Sequence, residues 1–345
     1  MIVRSPIKLL CAFLATILLC GSLGLHAQQR PQYSQYIFNN YLLNPALSGI
    51  ENYTDVKLGY RGQWTGLEGA PVTSFFSINA PIGNTFVNGD ANSFASEESQ
   101  NPFSRFDPSA YQASDPHHGI GMMIVSDKTG AITQTDIQGT YAYHLGISRG
   151  LNLSLGISAG YTHQQINISM LTVKDGNDQT LSNLSANTWA PNLGFGIWVY
   201  ARSYFAGFSV QQLLPRQNFE QYNNHNLNNP AVQHYFFTAG IKVFLNEDIS
   251  ITPSALLKFT KPVPVSFDVN TKVSFRNKFW LGASYRRNDS YTGMAGFNLS
   301  SFLNFGYGYD MNSAPLRTVP GGTHEVFIGL LLNNRFKLNC PTHGF

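Results

Sequence analysis

The feature that most limits what this chain can become is a strict two-residue alternation held over runs of about ten to twelve residues. From Leu151 the odd positions Leu151, Leu153, Leu155, Ile157, Ala159 and Tyr161 are apolar or aromatic, while Asn152, Ser154, Gly156, Ser158, Gly160 and Thr162 lie between them. From Val265 the same rule puts Val265, Phe267, Val269, Val273 and Phe275 on one face. Ser266, Asp268, Asn270, Lys272, Ser274 and Arg276 fill the other. Successive side chains of a strand point to opposite faces, so each run is a two-faced strand. Soluble strands average about 5–6 residues, whereas crossing a bilayer takes about 9–11 with an apolar outer face and a polar inner one. A soluble sandwich would need its apolar face covered by a second sheet, and a membrane barrel needs only lipid.

Composition agrees. Charged residues make up 12% of the chain, about half the usual ~25% of soluble domains. Aromatics reach 13% and glycines number 31. Past the first residues no stretch approaches the roughly 20 apolar residues of a spanning helix.

The start reads as a secretory signal over residues 1–27, with Arg4 and Lys8 before an apolar run from Leu9 to Cys20 and a cleavage site after Ala27. Its removal takes two of the 22 basic residues and none of the 19 acids, leaving 20 against 19. A mature net charge of +1 gives no electrostatic basis for nucleic-acid binding. Cys11 and Cys20 leave with the signal, so Cys340 alone remains and neither an internal disulfide nor a cysteine metal site is expected.

The expected fold is therefore all-β: a transmembrane antiparallel up-and-down barrel of about 14 strands, within a range of about 12–16. Residues 28–54 form an N-terminal periplasmic or plug segment, and residues 55–345 form the barrel. Strands are expected at 55–64, 72–80, 117–126, 132–146, 150–164, 189–200 and 203–213. The second half adds 232–245, 249–259, 265–276, 279–286, 291–299, 302–310 and 323–333. Short connections at Ser148-Arg149, Ala201-Arg202, Asn246-Glu247-Asp248, Asn277-Lys278 and Ser300-Ser301 alternate with longer ones at 165–188, 214–231 and 311–322. The short set is expected in the periplasm, with the mature N-terminus, and the long set outside. The insertion 81–116 breaks this phase. It reads as a loop, a missed strand pair or a periplasmic docking element.

Candidate chemistry is sparse. Gly156-Ile157-Ser158-Ala159-Gly160 fits G-x-S-x-G, but that motif works only at a sharp strand-to-helix turn, and here it lies inside an alternating strand. His117 and His118 are adjacent and would point apart, so they cannot share a metal; interfacial or loop positions are expected for both. Trp64, Trp189, Trp198 and Tyr200 read as interfacial aromatics. Lys57, Arg61, Asp268, Lys272, Arg276, Arg286 and Glu325, with Lys258, are expected inside the barrel, where mixed charges cross-link the wall more readily than they select ions. No catalytic, cofactor or metal residue is assigned. Phe345 ends the chain as a terminal aromatic that an assembly machinery would read.

Residues 31–48 carry Tyr33, Tyr36, Ile37, Tyr41 and Leu42 at the spacing of one face of a short helix that Pro45 would end. This segment, together with Asn44, Arg61 and Trp64, is the candidate plug or, alternatively, a handle for a partner. Gly59, Gly62, Gly66 and Gly69 point to a tightly bent first hairpin.

One block is distinctive: Pro31, Tyr33-Ser34-Gln35-Tyr36, Asn44-Pro45-Ala46, Gly59-Tyr60-Arg61, Gln63-Trp64 and Gly69-Ala70-Pro71. It resembles the opening of the PorP/SprF family of outer-membrane proteins from Bacteroidetes. The resemblance implies a type IX secretion and gliding component in the outer membrane. Its implied partners are secreted adhesin-like proteins with a C-terminal sorting domain and a periplasmic peptidoglycan-binding protein or other secretion components, with outer-membrane lipid around the barrel. The competing expectation is a transporter or porin for hydrophobic or small solutes, which would call for an apolar lumen pocket.

Overall fold

The protein is described by a computed structural model covering residues 36, 39–83, 113–170, 187–214, 232–246, 248–260, 263–276, 278–287, 289–300, 302–313 and 321–334. The alternating runs all form strands. They are β1 (Thr54–Gly62), β2 (Val72–Ile82), β3 (His117–Thr129), β4 (Ile132–Ser148), β5 (Leu151–Ile166), β6 (Asn187–Ala201) and β7 (Tyr204–Gln211). Then come β8 (His234–Ile241), β9 (Val243–Phe244), β10 (Ile249–Thr260) and β11 (Val263–Phe275). The last are β12 (Phe279–Arg286), β13 (Ser290–Asn298), β14 (Leu303–Asn312) and β15 (Thr323–Leu332). β8 and the two-residue β9 both pair with β10 and are one wall strand interrupted at Lys242, so the wall has fourteen strands.

Every neighbour is antiparallel, and the sheet closes on itself because β1 pairs with both β2 and β15 while β11 pairs with β10. Closure removes the edge that an open sheet would expose, which lipid cannot solvate. Connections β4–β5, β6–β7, β9–β10, β11–β12 and β13–β14 are short and lie at one mouth. β1 begins and β15 ends at that same mouth, since Thr54 pairs with Leu332. The other mouth carries the connections 167–186, 212–233 and 313–322, and is called the long-loop mouth below. Residues 84–112, most of the insertion, lie outside the described residues, as do Tyr33, Cys340 and Phe345.

The alternation resolves as expected. Leu155, Ile157 and Tyr161 are exposed on the outer face, while Ser154, Ser158 and Thr162 are buried inside. Val265, Phe267, Val269, Val273 and Phe275 likewise face out, and Asp268 and Asn270 face in. An Ile157→Arg substitution, placed mid-strand on the lipid face, is expected to cost roughly 2–4 kcal/mol of folding free energy in vesicles. Ser158→Ala beside it should change stability by well under that amount, and urea titration of both variants checks the contrast.

Inside, the barrel is less polar than the strand pattern implies. A cluster of buried aromatics lines the wall: Phe75, Trp198, Phe205, Trp280 and Phe327. Each sits directly across from a glycine on the next strand, in the pairs Gly59↔Phe75, Trp198↔Gly207, Phe205↔Gly240, Trp280↔Gly296 and Gly306↔Phe327. A Cβ at Gly296 or Gly306 would overlap the facing ring. The missing side chain lets each ring lie against the sheet. Trp198 and Tyr200, expected at the membrane interface, are thus 1% and 2% exposed and point inward. Their even positions on β6 share the face of the buried Asn192. Trp189 does face outward, 61% exposed.

Candidate functional site

The interior is occupied by the chain itself. Residues 39–53 run through the lumen before β1, bearing two 3-10 turns, Asn40–Leu42 and Pro45–Leu47. Pro45 does not end a helix here; it opens the second turn. Its fixed φ suits that first position, and Asn44 caps the turn by accepting from Ala46 N at 3.0 Å. Leu42, Leu43, Ala46 and Leu47 are buried against the aromatic cluster of the wall.

The wall reads the main chain of this segment. Gln211 Nε2 donates to the carbonyls of Leu42 (3.0 Å) and Leu43 (2.9 Å), and Ser209 Oγ also donates to Leu43 O at 2.6 Å. Ser154 Oγ donates to Ala46 O at 2.6 Å. His144 Nε2 meets Ser48 O at 2.7 Å, and His117 Nε2 meets Gly49 O at 3.1 Å. In return Gly49 N donates to Asn79 Oδ1 at 3.0 Å. Asn44 Nδ2 donates to Ile197 O (3.0 Å) and Phe208 O (3.3 Å). Tyr41 OH and Ser48 Oγ both reach Thr140 Oγ1, and Asn39 Nδ2 donates to Ser77 Oγ. Backbone groups buried without partners would each cost about 1–3 kcal/mol. Side chains from β2 to β7 prevent that cost.

Glycines make room for the backbone. Gly119, Gly156 and Gly196 lie under Ser48, Pro45–Ala46 and Asn44, and a Cβ at Gly119 or Gly156 would fall inside that main chain. Gly121 lies under the Tyr41 hydroxyl. The groove is therefore cut to the shape of one segment.

His117 and His118 do point apart. His118 is on the outer face, bonded to Tyr141 OH at 2.7 Å. His117, expected at an interface or in a loop, is instead 1% exposed in the lumen and stacks on His144 with ring centroids 4.4 Å apart. Among the described residues no group of three or more His, Cys, Asp and Glu side chains is placed to hold a metal, and no helix is long and apolar enough to cross a membrane. Ser158 lies mid-strand in β5.

The charges fall mainly where alternation puts them. Arg61 bridges Asp310 (2.9 Å) and Glu325 (3.2 Å), all three buried. Arg286 bridges Asp268 and Asp289, both at 3.0 Å. Lys57 pairs with Asp55 at 2.8 Å, and Lys272 lies over the Trp280 ring. Arg276 is a correction. It follows the last residue of β11 with φ +50°, so the alternation no longer governs it, and its exposed guanidinium pairs with Asp248 in the neighbouring turn. Trp64 is also corrected: it lies in the β1–β2 connection at the long-loop mouth with φ +46°, away from the segment. Tyr36 belongs with the segment, its hydroxyl taking the amide of Asn270 on β11.

A family model described as type IX secretion system membrane protein PorP/SprF matches residues 25–330. No match to the chain is found among curated proteins. Among solved structures, the CymD monoaromatic hydrocarbon channel is similar at 10% identity and a TM-score of 0.45, covering 86% of this chain and 91% of that one. The Acinetobacter baumannii outer membrane protein Omp33 is similar at 8% identity and a TM-score of 0.44, covering 83% of this chain and 100% of that one. The Pseudomonas putida toluene transporter TodX gives 9% identity and a TM-score of 0.42, covering 88% and 93%.

Proposed function

The chain belongs to the PorP/SprF family of type IX secretion system membrane proteins, and from that membership we propose that this outer-membrane barrel acts without catalysis. It helps secrete or anchor adhesin-like surface proteins, or links the secretion machinery to a periplasmic peptidoglycan-binding component. The observation that carries this reading is the filled lumen: five carbonyls between Leu42 and Gly49 are held by side chains of the wall. A barrel built around its own segment is suited to hold partners by its loops and turns rather than to pass solutes through its centre. The short turns face the periplasm in this reading, and the connections at the long-loop mouth meet the secreted protein.

The experiment is recovery of the tagged protein from native membranes in mild detergent. Co-purification of a large secreted protein or a peptidoglycan-binding lipoprotein is the expected result. Repeated recovery of the barrel alone would refute the reading.

One observation favours a second reading, a channel for hydrophobic solutes. The lumen contains an aromatic cluster, now packed on Leu42, Leu43 and Leu47. That reading requires the segment to move. The filled-barrel reading expects the intact protein to show no steady conductance in planar bilayers, and open channels of porin size would transfer support to the second.

A further inference from the structure

One basic patch of the inner wall belongs neither to the groove nor to the ion pairs described above. Near the mouth that carries the short turns, Thr252 stands three residues into β10 and pairs with Lys272, three residues before the end of β11. On its other flank the pairs Ser254↔Gly240 and Ile251↔Val243 bracket Thr252 opposite Lys242. Thr252 and Lys242 are buried and Lys272 half-buried on the inner face, while Ile241, Val243, Thr271 and Val273 beside the lysines are exposed outside. Neighbouring strands lie about 4.8 Å apart, so the two lysines stand about 10 Å apart on one rung and their stems can meet over Thr252. Ser250, the next inward residue of β10 toward the mouth, pairs with Phe244 and Ser274.

The two ammoniums share one setting. Lys242 Nζ lies 5.6 Å from the ring centroid of Phe244, and Lys272 Nζ lies 5.2 Å from that of Trp280. A ring face attracts a cation but cancels none of its charge. The charges acting on Lys272 are those of Lys242 and Lys57, both of its own sign. The acid on the inner face of β11, Asp268, is four residues further from the mouth and pairs with Arg286. Asp248, in the turn before β10, is exposed and pairs with Arg276. Between the lysines stand hydroxyls: Thr252 is 4% exposed and Ser250 7%, and neither makes a side-chain hydrogen bond among the described residues. Buried hydroxyls and buried cations both need partners. A patch of donors on a positive wall calls for an acceptor that carries negative charge.

We propose that Lys242, Lys272, Thr252 and Ser250 bind the phosphoryl group of a small solute that enters the lumen from the short-turn mouth. Such a group carries about −1.5 to −2 charge at pH 7 and three acceptor oxygens. It therefore balances two ammoniums and leaves an oxygen for the hydroxyls, whereas the single charge of a carboxylate balances one lysine. The hydroxyl of Tyr36 is bonded to Asn270, two residues further from that mouth than Lys272, so the N-terminal segment sets the inner limit of the site. The inference does not depend on the secretion role, nor on which mouth faces the periplasm.

Calorimetric titration of the full chain in detergent tests it, with inorganic phosphate and glucose 1-phosphate as probes and acetate as the contrast. Saturable binding of phosphate is expected if the free ion suffices, and binding of the ester alone if the group belongs to a larger solute. Lys272→Gln should weaken either by about tenfold or more, the loss of one charge-assisted bond. Thr252→Val removes a hydroxyl and no charge, and should weaken binding several-fold in a barrel of unchanged gel mobility. Phosphate should also raise the unfolding midpoint of the parent and not that of Lys272→Gln, because only the parent binds it. The proposal is overturned if neither probe binds, if acetate binds as tightly as phosphate, or if both variants bind like the parent.

Discussion

Gly156→Val is expected to expel the N-terminal segment and turn a closed barrel into a conducting one. Gly156 faces the lumen on β5, and a side chain there would overlap the main chain of Pro45 and Ala46. Neither side can yield. The glycine is locked in the wall between Ala142 and Gly196, and the segment is held on both flanks by Gln211, Ser209 and His144. Overpacking of this kind costs about 1–3 kcal/mol where side chains can shift, and more where backbone meets backbone. Expulsion also exposes Leu42, Leu43 and Leu47, each worth roughly 1.5–3 kcal/mol of burial. The wall itself keeps its strand pairs, so it should still fold and still migrate as a compact barrel in unheated gels. Single-channel recording would show stepwise openings absent from the parent, and added protease would cut between residues 36 and 53. A Gly156→Val barrel that neither conducts nor exposes the segment would mean that the segment is not what closes the lumen.

Arg61→Ala is the second large effect. Arg61 is 4% exposed and is the guanidinium shared by Asp310 and Glu325, which are each 2% exposed. It ties β1 to β14 and β15, across the seam that closes the first strand to the last. Removing one partner of a buried ionic cluster leaves charge in low dielectric and typically costs about 3–5 kcal/mol. Replacing all three by apolar residues of similar volume, for example Arg61→Met with Asp310→Leu and Glu325→Met, should recover most of that loss. Chemical unfolding in detergent compares the two. Equal stability of Arg61→Ala and the parent would show that the bridge contributes nothing to closure.

Much of this was readable from residue order. Leu151 to Thr162 alternates without error because lipid on one side and a polar interior on the other impose a period of two. That rule holds wherever a strand crosses, so fourteen strands and the inward position of Arg61, Asp268, Arg286 and Glu325 follow from local pattern. It stops at strand ends, which is why Arg276, one residue past β11, turns out to Asp248 instead. It is also silent on chemistry within the inner face. Trp198 and Tyr200 look like interface residues in sequence, and only the pairing of Trp198 with Gly207 shows a ring lying flat inside the wall. The groove for residues 39–53 is the clearest case. Gly119, Gly156 and Gly196 belong to three different strands and line up only once β3 to β6 pair in register. Their common purpose, room for a backbone that arrives from far upstream, is a property of long-range register. Period and polarity are carried by neighbours along the chain and determine the barrel; what fills it depends on residues roughly a hundred positions apart, which tertiary contact alone could bring together.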